Sequence, residues 1–173
     1  MSDAHDIDLD TAAKRELGYS RWWQITAAAV MMALVSPYQY VWSSLEGPLA
    51  ADLDASLSAL GFVFTAYVVA MALIQFPAGW WRDRYGPRAV TLVAGVLAGG
   101  GYVALAFATE LWHVYVTYTV GAVGVGMVYT VAVNTAVKWF PDKRGLTTGI
   151  GTMAFAAGSA AFVPFIRYMV AGD

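Results

Sequence analysis

Cysteine is absent from the 173-residue chain, so no disulfide staples it and no thiolate can hold a metal. Charge is scarce as well. Only 13% of the residues are Asp, Glu, Lys or Arg, about half of the roughly 25% found in soluble domains. With 59% hydrophobic residues, a chain of this length cannot bury its apolar side chains against one another; a bilayer is the solvent that suits it. The net charge is −2, which gives no basis for a polyanion-binding surface or a nucleic-acid partner. His5 and His113 lie far apart, no phosphate-cradling loop is present, and Gly149-x-Gly151 lacks the preceding strand that a nucleotide site needs. Neither a cofactor nor an enzymatic activity is expected.

Also missing is the strict alternation of a membrane β-barrel strand. What the sequence has instead is long apolar runs. A helix needs about 20 apolar residues to cross roughly 30 Å of hydrocarbon, and five runs qualify: 22–45, 57–81, 89–108, 111–137 and 146–166. Turn signals separate them. Glu46-Gly47-Pro48 and Asp52-Leu53-Asp54 follow the first run, Ser56 is placed to cap the second, and Pro87 suits the first turn of the third. Residues 1–21 are polar and rich in Asp, and are read as a disordered tail. No small-residue cleavage site closes the first run, so it is read as a retained span.

None of the five runs contains Asp, Glu, Lys or Arg. The charges between them are sorted. Lys14, Arg15 and Arg21 precede span one; Arg82, Arg84 and Arg88 lie between spans two and three; Lys138, Lys143 and Arg144 lie between spans four and five. Arg167 alone falls on the other side, where Glu46, Asp52, Asp54 and Glu110 lie. Basic loops stay in the cytoplasm, which predicts a cytoplasmic N-terminus, a multi-pass protein of the cell membrane, and Asp173 outside. Spans without a carboxylate offer no proton relay. Small residues in spans three to five, such as Gly95-x-x-x-Gly99 and Gly145-x-x-x-Gly149, suit close helix packing in lipid.

Between spans two and three the sequence reads Gly79-x-x-x-Asp83-Arg84-x-Gly86-x-Arg88. This resembles the signature loop of the major facilitator superfamily. The resemblance implies a gating role, with Asp83 as a charge partner at helix N-termini and arginines. A second run, Trp139-Phe140-Pro141-Asp142-Lys143-Arg144-Gly145, resembles the loop joining helices four and five in the oxalate/formate antiporter family. Gln39-Tyr40-Val41-Trp42 and Gly124-Val125-Gly126-Met127-Val128-Tyr129 fit the same family.

The resemblance implies an all-α membrane protein, the partial N-terminal half of a major facilitator fold: five of twelve helices, spanning 22–173. It implies a substrate cage drawn from Gln39, Tyr40, Tyr129 and Phe155, a gating loop of Gly79, Asp83, Arg84, Gly86 and Arg88, and a helix 4–5 loop carrying Lys138, Asp142, Lys143 and Arg144. Phe155 stands where the family's oxalate site has a tyrosine, and the lost hydroxyl points away from oxalate itself. Tyr40 and Tyr129 each lie 18 residues into spans one and four, the depth an inverted repeat predicts. Tyr38, Tyr115 and Tyr118, nearer the outer edge, are read as interfacial belt residues; Gln75 and Asn134 are further candidates for cavity lining. The expected function is exchange of small organic anions by alternating access. The expected partners are the bilayer, the anion and a missing C-terminal half that holds the cations. Alternatives are a proton-coupled monocarboxylate carrier or another anion carrier of the same superfamily, and a non-transporting membrane subunit or scaffold.

Overall fold

The computed structural model describes residues 10–15 and 18–171, with Val170 and Ala171 as backbone only. The expected tail lies mostly outside the described residues. Within it, residues 10–15 form a helical turn rather than disordered chain, held by the Lys14–Asp10 ion pair at 2.8 Å and by the Ser20 hydroxyl, which donates to Asp10 at 2.7 Å. The expected outer placement of Asp173 also lies outside the described residues.

All the regular structure among the described residues is helical, as hydrocarbon demands of backbone that must pair its own N–H and C=O groups. Span one comprises α1 (Trp22–Val35), α2 (Pro37–Tyr40) and α3 (Trp42–Asp52); α4 (Leu57–Tyr85), α5 (Pro87–Leu105), α6 (Leu111–Trp139) and α7 (Arg144–Ala171) are spans two to five. Span one is bent by 44° after Tyr40. Pro37 has no N–H for the Ala33 carbonyl, and the Ser36 hydroxyl bonds that carbonyl instead, at 2.9 Å. The expected turn at Glu46-Gly47-Pro48 is helical within α3. Gly47 and Pro48 are exposed there, so water can replace the N–H that proline lacks.

The charged segment between spans two and three is not a loop. α4 continues through Trp80, Trp81, Arg82, Asp83 and Arg84 to Tyr85, and α5 begins at Pro87. Nothing in those residues breaks a helix, and arginine favours one. Only Gly86 leaves the helical path, at φ 85° and ψ 168°, a region that in practice only glycine occupies. A Cβ at Gly86 would meet no atom, so the cost of a side chain is backbone strain alone. Gly86→Ala should therefore lower stability by about 1–3 kcal/mol, read as a fall in the unfolding temperature of detergent-purified protein; an unchanged temperature would refute this. The helix 4–5 loop is likewise shorter than expected. Lys138 lies in α6 and Arg144 opens α7, because the first obstacle to α6 is Phe140, which precedes Pro141 and is pushed to φ −130° and ψ 65°.

α6 is the central helix, packed on both α4 and α5, with α1 and α7 alongside. Its glycines permit the contact. A Cβ on Gly124 would lie 2.5 Å from the Ala98 nitrogen and 2.7 Å from the Ala94 oxygen of α5; here backbone meets backbone. The outer faces of α4 and α5 present Leu73, Phe76, Leu92 and Val96, side chains suited to lipid and to no aqueous surface.

Candidate functional site

Gln39, Tyr40, Tyr129 and Phe155 come together. With Met71, Gln75 and Thr152 they line an open cleft of about 460 Å³ between spans one, two, four and five. Phe155 is 6% exposed and holds the two tyrosines apart: its ring centroid lies 5.7 Å from that of Tyr40, and 6.2 Å from that of Tyr129 at 89°. Edge-to-face contacts of this kind orient rings, and Tyr40 and Tyr129 meet them from opposite helices. No lining residue carries a charge. The polar atoms are two tyrosine hydroxyls, two side-chain amides and the Thr152 hydroxyl, which already donates within its own helix to the Thr148 or Gly149 carbonyl, at 3.2 and 3.1 Å. The Gln75 amide already gives one bond, at 3.4 Å, to the Met71 carbonyl. Asn134 bonds the Thr130 carbonyl of its own helix at 2.9 Å and does not line the cleft. Thr152 was not singled out from the sequence, where it is one small residue among many in span five.

The charged residues of segment 79–88 and of the connection between spans four and five gather at one end of the bundle. Asp83 accepts from Lys138 Nζ at 2.8 Å and from Arg82 Nη1 at 3.1 Å, so it joins α4 to α6. Arg84 lies over the rings of Trp80 and Tyr85, at 5.6 and 5.8 Å, while Arg88 lines a groove with Arg82 beside α1 and α6. Gly79 faces Thr130 of α6. The Asp83–Lys138 pair is more than half exposed at both partners; such pairs contribute 0–1 kcal/mol to stability.

Asp142 has a different partner from any its loop supplies. Arg21, at the start of span one, holds it through both guanidinium nitrogens at 3.0 and 3.2 Å, and donates to the Trp139 carbonyl at 3.3 Å. The guanidinium sits 4.3 Å above the Phe140 ring. Its side chain is 3% exposed. Lys143 follows Asp142 in the same short connection, and its backbone N–H bonds Phe140. No local signal marks Arg21 as buried; its partner is 121 residues away.

Tyr38 and Tyr118 are not belt residues. They sit fully buried with Tyr67, Tyr102 and Trp42 in one aromatic cluster. The 3.6-residue period places them inward, whereas distance along the run alone suggested the interface. The Tyr38 hydroxyl donates to the Ala98 carbonyl of α5 at 2.6 Å, and that of Tyr118 to the Tyr38 carbonyl. Tyr115 is half-buried and donates to the Ala59 carbonyl of α4 at 2.8 Å.

Comparison with known proteins agrees with this architecture. The family model of the Major Facilitator Superfamily matches residues 21–172. The oxalate:formate antiporter of Oxalobacter formigenes is 34% identical over 85% of this chain and 35% of its own length. The probable sulfoacetate transporter of Cupriavidus necator is 29% identical over 85% of this chain and 35% of its own. Human monocarboxylate transporter 11 is 31% identical over 61% of this chain and 24% of its own. The chain thus spans about a third of the length of the curated relatives it matches. Membrane-length helices in this order, with a family match from the start of span one to the end of span five, have one reading: the chain belongs to the Major Facilitator Superfamily.

Proposed function

We propose that this chain is the N-terminal part of an alternating-access carrier that exchanges small organic anions of the oxalate/formate type. The observation that carries the proposal is the cleft: neutral donors and ring edges converge there, and no acid lines it. Hydroxyl and amide donors suit carboxylate oxygens, and ring edges are the electropositive part of an aromatic side chain. A dianion desolvated without a counter-charge is costly, and no cation lines the cleft. The rest of the carrier then supplies one. The basic end faces the cytoplasm of a cell membrane in this reading, and Asp83 with Lys138 and Arg82 is a latch between α4 and α6 rather than a contributor to stability.

The test is counterflow in liposomes. The complete carrier, loaded with unlabelled formate or oxalate, should take up labelled anion without a proton gradient. Uptake that collapses with a protonophore would sink the exchange reading in favour of proton-coupled monocarboxylate transport, which the likeness to monocarboxylate transporter 11 makes the next reading. Asp83→Asn should slow exchange about tenfold, equivalent to about 1.4 kcal/mol of conformational bias, with assembly unchanged. Full activity in that variant would remove the latch from the mechanism.

A further inference from the structure

We infer that Tyr118, acting through Tyr38, is a positioning residue for the cleft, setting the direction in which Tyr40 faces. The inference rests for its functional meaning on the reading of the cleft as the anion site. Its structural content is independent of that reading.

Gln39 and Tyr40 belong to the four-residue helix α2, between the proline step at Pro37 and the 44° bend after Tyr40. In an unbroken helix the Tyr38 carbonyl accepts from the Trp42 N–H, four residues on. Here it accepts from the Tyr118 hydroxyl of α6 instead. A bare carbonyl in a dry, apolar bundle costs a large part of a hydrogen bond, so the hydroxyl makes the bend tenable. The Tyr38 ring is pinned on the far side, where its hydroxyl donates to the Ala98 carbonyl of α5. Adjacent residues thus have opposite fates. Tyr38 is 1% exposed and tied to α5 and α6, while Tyr40 is 39% exposed and turned to Phe155 and the cleft. Every hydroxyl in this chain of contacts belongs to a neutral side chain, so the device works without charge.

Phenylalanine at 118 keeps the ring contacts with Trp42, Tyr38 and Tyr67 and removes only the donor. The Trp42 N–H can then reclaim the Tyr38 carbonyl, which straightens the span and turns Tyr40 away from Phe155. Two measurements test this in the complete carrier. The described part has no native cysteine, so with any cysteine elsewhere replaced, a single Tyr40→Cys reports cleft exposure to a water-soluble thiol reagent. Adding Tyr118→Phe should lower its reactivity several-fold. In the otherwise native carrier, Tyr118→Phe should raise KM for formate or oxalate about tenfold, the worth of roughly one hydrogen bond, with little change in the maximal rate. In a Tyr40→Ala background the same change should have no further effect on KM. Unchanged reactivity at position 40 overturns the inference, whatever happens to transport. Reduced reactivity with unchanged KM upholds the placement and instead overturns the cleft as the anion site. An additive KM effect in the Tyr40→Ala background overturns the route through Tyr40.

Discussion

Asp142→Ala should destabilise the bundle by about 1.5–3 kcal/mol, the worth of charged hydrogen bonds, because it removes the carboxylate that the buried Arg21 guanidinium grips at 3.0 and 3.2 Å. Arg21 has a side chain only 3% exposed, and its position over Phe140 leaves it no path to water without moving the start of span one. The reverse substitution, Arg21→Met, should cost less, since Asp142 is 19% exposed and can hydrate. The double variant Arg21→Met with Asp142→Leu should recover much of the loss, because apolar side chains in place of both partners carry no desolvation cost. Thermal unfolding of the four proteins in detergent ranks them. If the double variant is as unstable as Asp142→Ala, the pair is a true net stabiliser, and the expected recovery is wrong.

Gly124→Ala should be severely damaging for the addition of a single methyl group. Its neighbours would be the Ala98 nitrogen and the Ala94 oxygen, at 2.5 and 2.7 Å, and backbone cannot rotate aside as a side chain can. α5 and α6 must separate along their whole contact, at a cost of about 3 kcal/mol, the upper end of overpacking penalties. Gly149→Ala is the control. It lies in α7, and its Cβ would meet nothing. There the better helix propensity of alanine should leave the protein unchanged or up to about 1 kcal/mol more stable. Similar losses at both positions would show that the glycines matter through something other than close approach.

These two sites also mark what can be read from the chain and what cannot. Apolar runs place the spans because hydrocarbon leaves the backbone no alternative to a helix, and Ser56 and Pro87 act locally, where sequence is informative. Ser56 accepts from the Ala59 N–H at 3.2 Å as a cap should. Gln39, Tyr40, Tyr129 and Phe155 share a cleft because related helices reach equal depth, which residue spacing encodes. Helix ends at the basic side are not legible from polarity, because charged residues continue a helix and only Gly86 and the Phe140-Pro141 step stop it. Burial of Tyr38, Tyr118 and Arg21 depends on which helix faces which. That information lies in pairs of residues 60, 80 and 121 positions apart, beyond the reach of any local pattern.

Gly86 has a mechanical consequence. It is the one residue between α4 and α5, and one residue of fully extended chain spans only about 3.5 Å. Spans two and three therefore have no slack at that end. Neither can slide along its own axis by more than a fraction of a helical turn without dragging the other. The joint can pivot, but it cannot lengthen.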